Sequence, residues 1–370
     1  MHLPFTSATQ VHADLHAASA DAGHPLWLLC IADCHGESVA ELLELLRARN
    51  MRVCGGLFPG LIANGARIDS GLLAIPLPPE SRVACVELRD SGLTWLQPPP
   101  EPSEEAGTAC SLMLVDCLAP GISGLLEEIY DRYGNRLHHV GAGTGYHDLR
   151  RAPSVFTEAG FIPHGGLLVM TPRRATVHVR HGWSRVRGPF IATRTRGNVI
   201  QELNWEPAGA FYRAQVAELA PELAELPVFP DIGAIYPLCI GKEGSEDVMR
   251  DPMEINEAGE LVVLSDVPEN AVMYLAHGNR ESLVESARFL ARECGEPDNV
   301  AACFIANCFS RALMLGDDFP RELATVSEAL ARFSPVPAEG VLALGEIAAN
   351  GGGSVDFYNK TLVVALSYGG

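Results

Sequence analysis

Residues 26–34 read LWLLCIADC, an apolar run of strand length that ends in an acid and a cysteine. A helical pattern follows at 37–50, and a second strand, MRVCGGLF at 51–58, ends in paired glycines. A third apolar strand is predicted at 70–78. A continuous apolar run bounded by turn residues is typical of a strand that is buried on both faces of its sheet. This stretch therefore predicts a buried strand–helix–strand unit.

The same unit recurs twice further along the chain. Its first strands are SLMLVDC at 111–117 and VAACFIANC at 300–308, and helical patterns follow at 122–134 and 317–333. Each copy also has a second strand that ends in glycine and a further apolar strand, which is the signature of an internal repeat. We therefore predict an α/β fold, with mixed α+β as the alternative, in which a β-sheet core is flanked by helices and built from repeated units in two halves.

Three segments are predicted along the chain. Residues 1–23 form an N-terminal tail or helix, residues 24–205 form a domain with the first two copies, and residues 206–370 form a domain with the third. The Pro- and acid-rich stretch 97–107 predicts a surface linker between the first two copies. A region from about 175 to 295 does not follow the repeat.

Composition narrows the classes of partner and compartment. Among 370 residues, 27 Lys and Arg stand against 46 Asp and Glu, a net charge of −19. Such a chain repels nucleic-acid phosphates and anionic lipids, so neither nucleic acid nor a membrane is a predicted partner. The first residues lack a signal-peptide pattern, and no apolar run reaches the roughly 18 residues of a spanning helix. A cytoplasmic protein with reduced cysteines is predicted.

Candidate binding residues lie where the strands of the copies end, because ligands of α/β sheets sit at the carboxyl ends of strands. Gly143 ends a second strand, where a glycine permits close approach of a ligand or of another backbone. Cys308 ends the first strand of the third copy. A thiol-dependent enzyme would need His181 or His147 within reach of this sulfur, together with an oxyanion hole. The alternative is a buried or ligand-lining thiol, and no catalytic residue is predicted.

The segment His181-Gly182-Trp183 places an imidazole beside a large flat aromatic ring. We predict that His181 lies in one strand with His178, and that the His181 imidazole and the Trp183 ring form a wall of a site for a planar ligand. A purely structural histidine is the alternative. The twelve histidines of the chain show no familiar zinc spacing.

Two groups of segments carry a resemblance to a known family. In the N-terminal half they are CGGLFPGLIANG (54–65) and VGAGTGYHDLRRAPSVFTEAGF (140–161). In the C-terminal half they are Asn307-Cys308, Arg311, Gly345-Glu346 and Tyr358-Asn359. These segments resemble the FIST sensory domain, a two-part module of bacterial signalling proteins that is also attached to eukaryotic F-boxes.

Three further segments are similar to the NosP-type subfamily. They are HGWSRVRGPF (181–190), GNVIQELNWEPAGAFY (197–212) and MRDP (249–252). This resemblance implies a sensor rather than an enzyme: a protein that holds haem b, senses nitric oxide and controls a partner histidine kinase. The alternative is a haem-free FIST sensor for a small metabolite such as an amino acid. Assembly into a homo-oligomer is left open.

The resemblance also implies roles for individual residues. His181 and then His147 are the expected ligands of a haem iron, with Trp183 beside the cofactor. Arg311 is expected to pair with the carboxylate of a ligand or a haem propionate, or alternatively with Glu346, which would mark the floor of the pocket. Asn359 is expected to hold the adjacent loop. The sequence shows no output domain, so signalling is expected to pass through a partner protein.

Overall fold

A computed structural model describes residues 1–21, 23, 25–101, 109–223, 225–295, 298–334, 336–349 and 354–369 of the protein. Residues 102–107 of the predicted linker lie outside the described residues. The helices are α1 (Ala8–Asp21), α2 (Val39–Ala48), α3 (Ile122–Tyr133), α4 (Ala208–Leu219), α5 (Gly233–Ile235), α6 (Arg280–Glu293), α7 (Phe309–Leu315) and α8 (Phe319–Leu330). The strands are β1 (His2–Leu3), β2 (Leu26–Ala32), β3 (Val53–Phe58), β4 (Gly60–Ala63), β5 (Ala66–Ile68), β6 (Leu72–Leu77), β7 (Arg82–Arg89), β8 (Gly92–Gln97), β9 (Ala109–Asp116), β10 (Leu137–Thr144), β11 (Val155–Thr157), β12 (Gly160–Ile162), β13 (Gly165–Thr171), β14 (Ala175–Arg180), β15 (Ser184–Ile191), β16 (Arg194–Arg196), β17 (Val199–Leu203), β18 (Glu206–Pro207), β19 (Leu238–Ile240), β20 (Val248–Arg250), β21 (Pro252–Ile255), β22 (Leu261–Val263), β23 (Val272–His277), β24 (Val300–Cys308), β25 (Ala338–Ala343), β26 (Glu346–Ala349), β27 (Val355–Tyr358) and β28 (Leu362–Tyr368).

Each predicted repeat folds as a three-stranded unit whose first strand lies in the centre. In the first unit, β2 pairs in parallel with β3 and antiparallel with β6. The second unit repeats this arrangement with β9, β10 and β13, and the third with β24, β25 and β28. Helices connect the two parallel strands of each unit, because parallel neighbours need a crossover connection. The predicted α/β class and the strand–helix–strand repeat are confirmed.

The three units exchange hairpins in a cycle. The hairpin β4–β5 of the first unit pairs with β25 of the third, and β26–β27 of the third pairs with β10 of the second. The hairpin β11–β12 of the second unit closes the cycle at β3 of the first. These exchanged hairpins cover strand edges that would otherwise be open. The sheets thus run across the predicted division at residue 205, which stays a prediction.

Gly143 lies where one exchanged hairpin meets its host strand. Its N–H donates to the Gly345 carbonyl at 2.7 Å, and its own carbonyl accepts from the Leu344 N–H at 2.9 Å. A Cβ at position 143 would lie 2.5 Å from the Leu344 carbonyl oxygen. In the structure, this glycine therefore serves close approach of two backbones.

A further body is inserted between β14 and α6. Residues 184–277 form two sheets, ordered β15-β23-β19-β20 and β16-β17-β22-β21, and α4 packs on the second. The core of this insertion includes Phe190 and Phe211, whose rings meet edge to face with centroids 5.0 Å apart. The insertion falls within the region that the sequence sets apart from the repeat.

The chain leaves the third sheet at the turn before the insertion. β14 ends at Arg180, because Gly182 adopts a φ of +95° and redirects the backbone into β15. The prediction that His181 continues the strand of His178 is therefore wrong. None of the described helices is long and apolar enough to cross a membrane.

Candidate functional site

The carboxyl end of β24 carries a group of polar side chains that are almost all excluded from solvent. We call this group the buried polar cluster. Its members are Asp251, Ser265, Asn307, Cys308, Ser310, Arg311, Glu322, Glu346, Asn359, Lys360 and Thr361. Four residues that the sequence singled out for ligand binding, Cys308, Arg311, Glu346 and Asn359, come together here.

A buried ion pair joins the third unit to the insertion. The Lys360 ammonium lies 2.6 Å from Asp251 Oδ1, and both side chains are at most 1% exposed. The Ser310 hydroxyl donates to the other Asp251 oxygen at 2.8 Å. The Trp183 ring lies beneath the ammonium, with its centroid 5.0 Å from Nζ. The Asp251 carboxylate and the Trp183 ring thus stabilise the buried Lys360 charge, which would be costly to bury without a partner.

Burial favours the neutral form of the Glu346 carboxyl, and it outweighs two hydrogen bonds from Thr361 that favour the charged form. Its Oε2 accepts hydrogen bonds from the Thr361 N–H at 3.1 Å and from the Thr361 hydroxyl at 2.7 Å. Complete burial raises the pKa of this carboxyl to about 8, because the charged form loses its hydration. Glu346 is thus mainly protonated at neutral pH.

Cys308 lacks the features of an activated nucleophile. Burial and, to a lesser extent, the neighbouring Glu346 and Asp251 carboxyls raise the pKa of its thiol to about 12. Its sulfur contacts the Ser310 hydroxyl at 3.3 Å, whereas the imidazoles of His181 and His147 contact other groups. A thiol-dependent enzyme needs a thiolate, which this environment disfavours. All ten cysteines of the chain are free thiols.

Arg311 is fully buried and bound to the protein on every side. Its ion-pair partner is Glu322 of α8, at 2.6 Å, so the alternative of a pair with Glu346 is wrong. Glu346 is instead turned toward Thr361. The remaining guanidinium hydrogens go to the backbone carbonyls of His181, Leu283 and Lys360 and to the Ser286 hydroxyl. All five N–H donors are used, so none is left for a ligand carboxylate or a haem propionate.

His181 and Trp183 are placed together, as expected, but both are already occupied. His181 Nδ1 accepts from the Trp183 N–H at 3.0 Å, and Nε2 lies 2.9 Å from Glu246. Burial alone would raise the pKa of Glu246, but hydrogen bonds from His181 and Arg180 lower it to about 2. The Trp183 indole donates to the Ala234 carbonyl at 3.2 Å. Because both ring nitrogens of His181 already have partners, neither is free to bind a haem iron.

His147 follows β10 of the second unit, and its side chain is 61% exposed. Its Nδ1 and its backbone N–H both contact Asp33 Oδ2, at 2.8 and 2.7 Å, just after β2. Among the described residues, Nε2 has no partner. A carboxylate on one ring nitrogen orients an imidazole for a ligand at the other. His147 therefore meets one requirement of an iron ligand, although its ring is not enclosed.

A cavity of about 640 Å³ opens beyond the carboxyl end of β9, between the second unit and the insertion. We call it the α3 cavity, since the first turn of α3 forms one wall. Its lining comprises residues 117–123, 196–198 and 264–266 together with Arg89, Asp90, Arg151, His164, Arg250 and Phe357. This volume is in the range of sites for small molecules. Ser265 belongs to both the α3 cavity and the buried polar cluster.

The α3 cavity lies at a strand end, where the sequence predicts ligand sites, but its lining residues are not the ones that the sequence singled out. Ligand sites were expected at the carboxyl ends of the repeated strands, and the cavity lies at one of them. Its arginines were missed, although Arg250 stands in the MRDP segment that carries the family resemblance. A signal was available: MRDP places an arginine and an aspartate directly after a short apolar strand. Among the residues that the structure describes, no group of three or more His, Cys, Asp or Glu is placed to hold a metal ion.

Two family models match the chain. The FIST N domain matches residues 27–206, and the FIST C domain matches residues 208–349. The comparison with curated proteins gives no significant match.

Proposed function

Since this chain belongs to the FIST-domain sensory proteins, which bind small ligands in signalling, we propose that its ligand is a small metabolite held in the α3 cavity. The observation that carries the proposal is the position of Ser265. Its hydroxyl donates to Asn359 at 3.1 Å, so one residue joins the cavity wall to the buried polar cluster. A ligand against this wall would act directly on the network that ties the insertion to the third unit.

The proposed output is a change in the contact between the insertion and the repeat units. Their described connections include the Lys360–Asp251 pair and the hydrogen bond that Arg250 donates to the Phe357 carbonyl. A ligand that binds one arrangement of these bodies better than another shifts the population toward it. A partner protein, in our proposal a histidine kinase, reads the shift at the surface of the insertion.

Thermal unfolding with a panel of metabolites tests this proposal. A ligand that binds only the native state stabilises it by RT ln(1 + [L]/Kd), or about 2.7 kcal/mol at a hundredfold excess over Kd. We expect at least one amino acid, organic acid or nucleotide to raise the Tm in a saturable manner.

A variant at the mouth of the cavity locates the binding. Ser123 is exposed in the first turn of α3 and lines the cavity, so Ser123→Trp fills space without burying a new group. Ser123→Ala removes the same hydroxyl and leaves the cavity open. The proposal requires that Ser123→Trp abolish the shift and Ser123→Ala retain it; equal shifts in both variants would place the ligand elsewhere.

Haem-dependent sensing of nitric oxide, as in the NosP-type subfamily, is the second candidate. The observation in its favour is the Asp33 carboxylate on His147 Nδ1, which leaves Nε2 without a partner among the described residues. Against it, neither His147 nor His181 lines the α3 cavity. The apolar cavity between the sheets, lined by Leu28 and Phe304, holds only about 70 Å³. Apart from the His147 imidazole, the described residues at these places do not fit haem b.

Haemin titration separates the two candidates. The haem candidate predicts a sharp Soret band that saturates at one haemin per chain, is lost in His147→Ala and survives in His181→Ala. A diffuse band without saturation, or a band that survives in His147→Ala, excludes His147 as the ligand. The metabolite candidate predicts that Ser123→Trp leaves any haemin uptake unchanged.

A further inference from the structure

The lining of the α3 cavity carries a charge opposite to that of the whole protein. Four arginines and one histidine line it, against two aspartates, Asp90 and Asp266, on a chain with a net charge of −19. Arg196 is exposed and makes no ion pair among the described residues, and Arg151 contacts the Leu118 carbonyl. Positive charge gathered in a cleft attracts and concentrates anions.

Arg250 is the most buried of the charged residues in this lining. Its side chain is only 5% exposed. Nε donates to the Asp266 carbonyl at 2.8 Å, and Nη1 donates to the Met249 and Phe357 carbonyls at 2.9 and 3.1 Å. Among the described residues, no carboxylate lies within ion-pair distance, and Nη2 has no acceptor. Arg250 is thus a buried cation that lacks a direct ion-pair partner, and only the more distant Asp266 and Asp356 carboxylates favour its charged form.

Burial has the expected effect on this group. It lowers the pKa of the Arg250 guanidinium to about 10, which still leaves the charge in place at neutral pH. A buried charge that lacks a counter-ion is costly. An anion in the cavity would supply the missing partner for a fork of N–H donors whose geometry matches carboxylate or phosphate.

The amino end of α3 meets the same cavity. Residues 121–123 line it, Gly121 precedes the twelve-residue helix, and no side chain caps the first turn. The first N–H groups of a helix lack intrahelical acceptors and carry the positive end of the helix dipole. Such an end binds carboxylate and phosphate groups readily.

We propose that the α3 cavity binds its ligand through an oxyanion, a carboxylate or a phosphate group, held between Arg250 and the amino end of α3. This inference rests on the proposed function, in which the cavity is the ligand site. It adds the chemical class of the ligand: a small organic acid or a phosphorylated metabolite, with Arg196 and Arg151 at the mouth.

Matched probes test the chemistry. Sodium succinate, sodium citrate, inorganic phosphate and AMP are titrated by calorimetry and thermal unfolding at constant ionic strength, with succinamide and adenosine as neutral counterparts. We expect saturable binding of at least one anion and none of its neutral counterpart. Binding of succinate or citrate alone identifies a carboxylate site, and binding of phosphate or AMP alone identifies a phosphate site. Binding of none of the four overturns the proposal, as does equal binding of the neutral compounds.

Two arginines of one strand form a matched pair of variants. Arg196 lines the cavity, whereas Arg194, two residues earlier in β16, does not and pairs with Glu202. Arg196→Gln and Arg194→Gln remove the same charge from neighbouring positions of one strand, but only Arg196 lines the cavity. We expect Arg196→Gln to weaken anion binding about fivefold and Arg194→Gln to leave it unchanged. Equal effects would indicate nonspecific attraction and overturn the assignment.

Arg250→Gln tests the anchor itself. We expect it to weaken anion binding by at least about tenfold, since it removes a charged donor. Because this buried variant can fail to fold, the Arg196→Gln comparison carries the test in that case. The outcomes also separate the two levels of the proposal. A neutral ligand that binds and is blocked by Ser123→Trp retains the proposed function and rejects the oxyanion; anions whose binding Ser123→Trp does not affect reject the cavity as their site.

Discussion

The Ser265 hydroxyl donates a hydrogen bond to the Asn359 side-chain oxygen at 3.1 Å, across the junction between the insertion and the third unit. Ser265 is 8% exposed and Asn359 fully buried, and the Asn359 amide nitrogen has no acceptor among the described residues. The α3 cavity and the buried polar cluster therefore share one wall. A ligand in the cavity, as proposed above, would lie next to this contact.

Ser265→Ala should destabilise the protein by about 1–2 kcal/mol, because it leaves the Asn359 oxygen buried without its donor. Unfolding in urea, followed by tryptophan fluorescence, measures the change in free energy. Ser123→Ala, at an exposed position of the same cavity, should change it by less than about 0.5 kcal/mol. If the two alanine variants were equally stable, the Ser265–Asn359 hydrogen bond would make no measurable contribution to the free energy of unfolding.

Stability should fall as pH rises from about 4.5 to 8. Burial raises the pKa of Glu346 from its ordinary value of 4.5 to about 8, so the folded state keeps a proton that the unfolded state has released. Below this window both states are protonated, and above it both are ionised, so the slope is confined between the two values. Its size is at most about 1.4 kcal/mol per pH unit.

Glu346→Gln isolates this slope, because the neutral amide resembles the protonated acid in shape. We expect the variant to lose that part of the pH dependence and to exceed the wild type in stability at pH 9. Urea unfolding at pH 5, 7 and 9 gives the comparison. The exposed Glu254→Gln should retain the wild-type slope. An unchanged slope in Glu346→Gln would assign the pH dependence to other groups.

Much of the fold was predictable because each copy of the repeat begins with a continuous apolar run that the sequence shows directly. LWLLCIADC, SLMLVDC and VAACFIANC all become central strands, since an uninterrupted apolar run can be buried on both faces. The exchange of hairpins was not predictable. β4, β11 and β26 are only three or four residues long, and nothing in such short strands specifies which of three similar edges they join.

The candidate site was predictable in its neighbourhood and not in its contacts. The sequence singled out Cys308, Arg311, Glu346 and Asn359, and these residues lie together in the buried polar cluster, while their binding of a ligand stays a prediction. The sequence could not tell that Glu322, one turn into α8, would reach Arg311 first. The MRDP segment offered a signal for Arg250, but its burial without a direct ion-pair partner depends on contacts in space, which no linear pattern records.

Iodoacetamide should distinguish Cys34 from Cys308 in the native protein. Cys34 is the exposed thiol, although partial burial and Asp33 raise its pKa and slow its reaction. Cys308 is enclosed, and its pKa of about 12 keeps it protonated. Peptide mass spectrometry after alkylation at pH 7.5 should find Cys34 modified and Cys308 intact, with all ten cysteines modified in urea. Earlier modification of Cys308 would revive the thiol-dependent enzyme.

Arg311→Lys should cost about 3 kcal/mol or more, because an ammonium cannot replace the five fixed donors that reach Glu322 and the surrounding carbonyls. Arg321→Lys is the control, since that exposed arginine pairs with Glu281 at the surface and should change stability by less than about 1 kcal/mol. Urea unfolding reports both. If Arg311→Lys folds, it should bind the cavity ligand as the wild type does. A fully folded variant that no longer binds the ligand would show that Arg311 takes part in binding.

The Lys360–Asp251 pair should behave as a coupled unit rather than as two separate contributions. Lys360→Met leaves the Asp251 carboxylate buried with only the Ser310 hydroxyl, which should cost about 3–5 kcal/mol. Asp251→Asn leaves the ammonium over Trp183 without its counter-ion and should cost a similar amount. The double variant removes both charges, so we expect it to be more stable than Lys360→Met. A double-mutant cycle by urea unfolding measures the coupling, and additive losses would show that each charge is stabilised by groups other than its partner.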